Sequence, residues 1–318
     1  LPIIPSACIC PRVWIVAQTH VIIRIEAPVT SAWITVGLAR LRSLVSNAMI
    51  IDDDHRFAFI HIPKCAGTGV RKVLGRFDTT GKLFTDKIAN HPKLGRIDME
   101  HIPLSVLRVY FPGFFDKVRS YYSVAIVRDP YARFPSSLSQ YLVSRADRPM
   151  RRMTQHQVAD AVEEVIRKLS RVGFETMLPP ALIHFQGQHS YVYDRSVQVV
   201  SNLYTIEDVP TMLTELEEKI GSPLSEDAAE TQRIRRKAMV YRSAAVAYAV
   251  SALQSVFPAG IRRRFPEPTK GFLRDAFLVH RDARFRSVFG SEYVKDFILD
   301  YYKQDFELYE MVSSQRHR

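Results

Sequence analysis

"FIHIPKCAGTGVRKVL", Phe59 to Leu74, is the stretch on which the fold turns. The apolar residues from Phe57 to Ile62 form a segment too short for a helix and rich in β-formers, so the pattern predicts a buried strand that Pro63 ends. Helical spacing follows over Val70 to Phe77. A strand, a tight turn holding Gly67 and Gly69, and a helix that starts at once bring free backbone N–H groups and the positive helix end into one small concavity. A concavity of that kind binds phosphate or sulfate. Thr68 adds a hydroxyl donor, and Lys64 adds a mobile cation able to reach over the bound anion. In the nucleoside-triphosphate loop, GxxxxGK[ST], the lysine follows the last glycine and the next residue holds magnesium. Here Lys64 precedes Gly67 and no Gly-Lys-Ser/Thr occurs, which weakens the case for metal-assisted phosphoryl transfer.

Outward from that stretch, strands alternate with helices. Tyr122 to Val127 (YSVAIV) reads as a second fully apolar strand, stopped by Arg128-Asp129-Pro130, and Tyr131 to Ser144 returns to helical spacing. Between the two strands, Pro103 to Tyr110 and Gly113 to Tyr121 read as short helices. Gln155 to Leu169 is amphipathic, with Val158, Val162, Val165, Ile166 and Leu169 on one face. Val197 to Tyr204 reads as a strand, Pro210 to Ile220 as a helix stopped by Gly221, and Ser291 to Tyr309 as one long closing helix. The alternation predicts an α/β fold, a P-loop-like three-layer arrangement with a central parallel sheet flanked by helices. Residues 222 to 256 are helix-prone and Ala-rich and read as an insertion or packing hairpin. No internal repeat and no low-complexity tract interrupts the chain.

With 318 residues, 47% hydrophobic and 24% charged, the chain can bury one large core or two modest ones, and disorder does not dominate. Lys+Arg 44 against Asp+Glu 33 leaves a net charge of +11, a surface suited to polyanions: nucleic acid, anionic glycan, acidic lipid or nucleotide. Cys8 and Cys10 stand one residue apart and Cys65 is the third cysteine, so the fold does not lean on a disulfide framework and holds no CxxC pair for zinc. The first fifty residues are apolar, but His20, Arg24 and Glu26 interrupt them before the roughly 20 residues that a bilayer span needs, and no transmembrane helix is expected there. Residue 1 is Leu, which fits a processed or truncated form from which an anchor has been removed. Residues 1–54 read as an N-terminal extension without an assigned role.

The order His61-Ile62-Pro63-Lys64-Cys65-Ala66-Gly67-Thr68-Gly69 resembles the 5′-phosphosulfate loop of the sulfotransferases, in particular the family-2 carbohydrate sulfotransferases, whose loop commonly reads HIPKTAGTS. Cys65 stands where Thr is frequent and Gly69 where Ser is frequent; the second change removes a hydroxyl and keeps the amide. "YSVAIVRDPYARFPSSLSQYL", Tyr122 to Leu142, resembles the same family's 3′-phosphate motif. Arg128 directly follows the strand and Ser136 lies eight residues on, about two helical turns, so both can face one phosphate, the arginine bidentately. Asp129 and Pro130 suit the N-cap and first turn of that helix, while Pro135 stands where an apolar residue is usual. Gln186 to Asp194 (QGQHSYVYD) is similar to the family's Q-S-x-Y segment, "VQVVSNLYTIEDV" to its strand and acidic turn at Glu207-Asp208, and the final "YYKQDF" to its closing Y-x-x-D-F pattern. The resemblance spans residues 55–310 as a sulfotransferase domain, apart from the insertion near 222–270.

What the resemblance implies is sulfuryl transfer from 3′-phosphoadenosine 5′-phosphosulfate (PAPS), with no metal required. Lys64 and the amides of Cys65, Ala66, Gly67, Thr68 and Gly69 would neutralise the phosphosulfate, and Arg128 and Ser136 would hold the 3′-phosphate. The acceptor hydroxyl must lose a proton, and histidine suits that demand near neutral pH. His101, in "MEHIPLSVL" between the two anion motifs, is the expected base; Glu100 beside it, His61 before the loop, and His91, His184 and His189 are the other candidates. The basic surplus, with Arg233-Arg235-Arg236 and Arg262-Arg263-Arg264, suits a carbohydrate acceptor, including an anionic glycan, although such clusters are commonly solvated faces. The competing readings are a P-loop-type kinase or NTPase, a basic nucleic-acid module, for which no zinc finger, RNP-type aromatic pattern or helix-turn-helix is present, and a non-catalytic glycan-binding relative. Family members in eukaryotes are Golgi-lumenal and membrane-anchored, whereas the scarce cysteines and lack of a visible anchor suit a cytoplasmic or truncated enzyme equally.

Overall fold

In the computed structural model the described residues are 49–81, 83–84, 88–146, 149–172, 177–224, 239–243, 245–246, 248–249 and 278–315. The N-terminal extension up to residue 48, most of the Ala-rich insertion and both arginine clusters lie outside them.

Runs of apolar residues that have no polar face can only be satisfied between two covering layers. Such runs form β2 and β3 at the centre of a four-stranded sheet: β1 (Ile50–Asp52), β2 (Phe57–Ile60), then, after the helices α1 (Gly67–Leu74), α2 (Leu104–Tyr110) and α3 (Pro112–Ser120), β3 (Tyr122–Val127). The helices α4 (Pro130–Ala146) and α5 (Gln155–Leu169) lead to β4 (Asn202–Thr205), and α6 (Val209–Ile220), α7 (Glu292–Tyr301) and α8 (Lys303–Gln315) follow. The sheet order is β1-β2-β3-β4. β2, β3 and β4 run parallel, with Ile60 opposite Ala125 and Val127 opposite Thr205, and β1 pairs antiparallel on the edge. The protein is therefore a mixed α/β fold with a central, mostly parallel sheet flanked by helices. Among the described residues, no helix is long and apolar enough to cross a membrane.

One core forms on the sheet, where Phe57, Phe59, Val124 and Ile126 pack with Leu74 of α1, Leu107 of α2, Val118 of α3, Leu216 of α6 and Val312 of α8. A second lies among helices: Phe134 and Leu138 of α4, Val158, Val162 and Val165 of α5, and Ile298 of α7. Asp129 accepts the Tyr131 N–H at 3.0 Å and Pro130 begins α4, as expected of a cap and a first-turn proline. Pro135 sits inside α4 without ending it.

Some elements differ from the sequence expectation. α1 begins at Gly67 and not Val70, directly after Ala66, which is left-handed at φ 61°. Val197 to Tyr204 is not one strand. The Val199 and Val200 amides both turn to the Val192 carbonyl, which closes a small hairpin of Tyr193–Asp194 with Val197–Gln198 and leaves β4 as a separate strand. The closing helix is divided at Tyr302, whose hydroxyl is drawn to the Phe185 carbonyl at 2.8 Å. Within the stretch read as insertion, Met239–Tyr241 is a strand paired antiparallel with Leu278–His280.

Candidate functional site

Two neighbouring parallel strands deliver their following loops side by side, at the edge where open α/β sheets bind ligands. β2 ends at Ile60 and β3 at Val127, and the loops 61–66 and 128–129 meet there. The Arg128 guanidinium donates to the Lys64 carbonyl at 3.2 Å, so the two anion-binding candidates converge on one place. Both side chains are half-buried, leaving part of each open to a ligand.

Local strain shapes the loop. Lys64 has φ 66° and Ala66 φ 61°, while Cys65 between them does not. A left-handed conformation costs a non-glycine residue roughly 1–2 kcal/mol, and two in three residues mark a backbone held by its surroundings. The alternation turns successive N–H groups inward, the geometry of an anion-binding nest. α1 carries no acidic residue in its first turn and no side-chain cap at Ala66, so its N-terminal end is positive and available to an anion. Lys64 Nζ reaches Gln140 Oε1 on α4 at 3.4 Å, which holds it over the loop.

Gly67 is required by a close approach. A Cβ there would lie 1.9 Å from His61 Cδ2, because the His61 ring packs on the first turn of α1. Thr68 is exposed at the mouth of the loop, and Gly69 is buried with its amide on the Ala66 carbonyl at 3.1 Å. Cys65 turns its side chain inward: Sγ donates to Gln188 Oε1 at 3.1 Å, and burial pushes the thiol up to about 11. The Cys65 N–H donates to the Ile62 carbonyl at 3.4 Å, so the residue shapes the loop and offers a ligand neither its side chain nor its amide. Ser136 lies half-buried on α4, two turns beyond Arg128. Its neighbour Ser137 instead faces inward and donates to the His184 carbonyl at 2.7 Å.

His101 is 3% exposed. Its ring lies 4.7 Å from that of His61 and 5.3 Å from that of His184, so three imidazoles form a column beside the start of α1. Burial holds His101 well below the usual histidine range, and the nearby His184, Arg71 and Lys64 push the same way. His61 is lowered likewise, by burial first and Arg71 next. Both rings are therefore neutral, and each leaves a buried Nδ1 without a partner. Glu100 is engaged by Arg71 at 3.4 Å, which makes it a counter-ion and not a second base. Asp98, Glu100 and His101 each bring one ligand atom within 4.8 Å of the others, but a cation among them would face the Arg71 guanidinium already on Glu100. His91 accepts backbone N–H groups in its own hairpin, and His189 stacks on Tyr193 at 4.5 Å; neither ring joins the column.

Four residues that sequence reasoning did not assign hold these parts together. Gln188, fully buried, accepts the Arg128 N–H and donates to the Arg128 carbonyl, both at 2.8 Å, while accepting from Cys65; one side-chain amide staples the two loops. Asp305 accepts the backbone N–H of Gln188 at 2.8 Å and of His189 at 2.9 Å. It also pairs with Arg133 at 3.5 Å, 1% and 0% exposed, and Arg133 donates to the carbonyls of Pro63, His184 and Gln186. Tyr191 donates to the His101 carbonyl at 3.2 Å. A charged residue on the apolar face of a helix, as at Arg133 and Asp305, was the available signal.

Among the comparisons with known proteins, the family model described as "Sulfotransferase family" matches residues 47–311. No curated protein and no solved structure matches the chain.

Proposed function

The chain belongs to the sulfotransferase family, and on that premise we propose that it moves a sulfuryl group from PAPS to a hydroxyl of a carbohydrate. The observation that carries the reading is the contact of Arg128 with the Lys64 carbonyl at 3.2 Å. It places a strand-end guanidinium beside an uncapped helix start, and so fits a donor with a phosphate at each end of its ribose. The P-loop character of the fold is part of the same proposal.

PAPS supplies a sulfuryl group on an anhydride oxygen. Lys64 and the amides of Ala66, Gly67 and Thr68 bind and neutralise the oxygen that leaves, whereas the Cys65 and Gly69 N–H groups already donate to the Ile62 and Ala66 carbonyls; preorganised donors of this kind are each worth roughly 3–4 kcal/mol in a barrier. Arg128, with Ser136 beyond it, holds the 3′-phosphate and fixes the register of the nucleotide. His101, neutral at pH 7, takes the proton of the acceptor hydroxyl; its lowered basicity keeps it ready to accept without prior deprotonation. The lysine and amides supply the positive charge that a metal supplies elsewhere, so the reading needs none. A net charge of +11 favours an acidic glycan among carbohydrate acceptors.

The test is transfer of labelled sulfate from PAPS to an array of glycans in the presence of a metal chelator. Transfer is expected. ATP hydrolysis that depends on magnesium, with no sulfate transfer, would replace the reading by that of a nucleotide-hydrolysing or kinase relative.

A further inference from the structure

The histidine column has a buried end and an open end. His61 and His101 are 7% and 3% exposed, whereas His184 is half-buried and lies edge-to-face on His101. His184 is held firmly. Its carbonyl accepts from Ser137 Oγ at 2.7 Å and from the Arg133 guanidinium at 3.4 Å, both on α4, the helix whose Gln140 meets Lys64. A residue whose backbone is fixed on α4 and whose ring lies against a buried base is placed as a cover. The unpartnered Nδ1 atoms of His61 and His101 sit behind it, and buried polar atoms without partners call for an explanation, of which an arriving polar ligand is one.

Resting on the sulfuryl-transfer reading, we propose that His184 is the acceptor-side gate of the site: its imidazole shields His101 from water, and it receives the acceptor hydroxyl by a hydrogen bond as that hydroxyl approaches His101. The gate serves selectivity. Water is itself a hydroxyl acceptor, and a base open to solvent would spend the donor by hydrolysis. In that side reaction the water oxygen bonds sulfur, the S–O bond to the 5′-phosphate breaks with its electron pair on the phosphate, and the water proton passes to His101. A site closed to bulk water suppresses the reaction. An acceptor large enough to displace or pair with the His184 ring restores access.

Two measurements test the gate. Diethyl pyrocarbonate labelling, mapped by mass spectrometry, should modify His184 and spare His101 in the native protein. In His184→Ala it should modify His101 at least tenfold faster. Hydrolysis of labelled PAPS by water, with no acceptor present, should rise severalfold in His184→Ala and fall to background in His101→Ala; a role limited to holding the fold would lower hydrolysis instead. His184→Phe keeps the covering ring and removes the hydrogen bond, so His101 should stay protected while transfer to a sulfated glycan falls. Equal labelling of His101 in native and His184→Ala protein, or unchanged hydrolysis in that variant, overturns the gate. Failure of native protein to bind adenosine 3′,5′-bisphosphate would instead overturn the sulfuryl-transfer reading, and the labelling arm would still decide whether His184 covers His101.

Discussion

Asp305→Ala is the perturbation with the widest expected reach, because this side chain organises three others at no exposure. Its removal strips the buried Arg133 guanidinium of its carboxylate and the Gln188 and His189 amides of their acceptor. Breaking a buried pair by removing one partner costs about 3–5 kcal/mol, and each orphaned donor adds roughly 1–3 kcal/mol unless water replaces the lost oxygen. Two facts place the outcome at the low end. Arg133 keeps its carbonyl partners on Pro63, His184 and Gln186. Burial also pushes the Asp305 carboxyl upward against the pull of Arg133, so part of the pair's attraction is already spent on desolvation. A loss of about 3 kcal/mol is therefore expected, a large share of the 5–15 kcal/mol that holds a domain. In urea titration followed by far-ultraviolet circular dichroism, that corresponds to a midpoint lower by about 1 M or more for typical slopes. Asp305→Asn keeps one acceptor oxygen and should lose less. A midpoint within about 0.3 M of native for Asp305→Ala would refute the assignment of Asp305 as the organiser of Gln188 and Arg133.

Lys64→Ala should depress turnover by about a hundredfold, the worth of one preorganised charge, while donor affinity changes far less; steady-state kinetics with labelled PAPS reads both. Gly67→Ala drives a Cβ to 1.9 Å from His61 and should cost about 1–3 kcal/mol by overpacking, with weaker donor binding as the loop shifts, measured by urea titration and calorimetry. Stability should depend on pH through His61 and His101. Both are lowered in the fold from 6.5, so the folded state binds fewer protons, and their contribution is present above pH 6.5 and lost as pH falls. Urea midpoints should therefore fall between about pH 7.5 and 5.5, and His61→Asn should remove part of that slope.

The parts legible in the sequence were those that local chemistry decides. β3 matches its expected span, Tyr122–Val127, because an unbroken apolar run is bounded by charge and proline. α5 likewise runs from Gln155 to Leu169, where an apolar stripe follows the capping box of Thr154 and Gln157. β1 went unread since three residues show no period; only its pairing to β2 makes it a strand. The hairpin of Ala89–His91 with Gly95–Ile97 escaped for the same reason. At the site, Lys64 stood out as the cation at the front of a glycine turn and Arg128 because it directly follows a strand. Gln188, Arg133 and Asp305 did not, since their roles exist only once α4, α8 and the segment 183–191 are packed together. His184 was one candidate among several until the ring contact with His101 set it apart.

Calorimetric titration with adenosine 3′,5′-bisphosphate and with adenosine 5′-monophosphate bears most directly on whether Lys64 and Arg128 grip two ends of one nucleotide. The bisphosphate should bind at least tenfold tighter, with the preference abolished in Arg128→Ala, as expected for a charged hydrogen bond worth about 1.5–3 kcal/mol. Equal affinity for the two nucleotides, or a preference that survives in Arg128→Ala, would contradict a 3′-phosphate site at the end of β3.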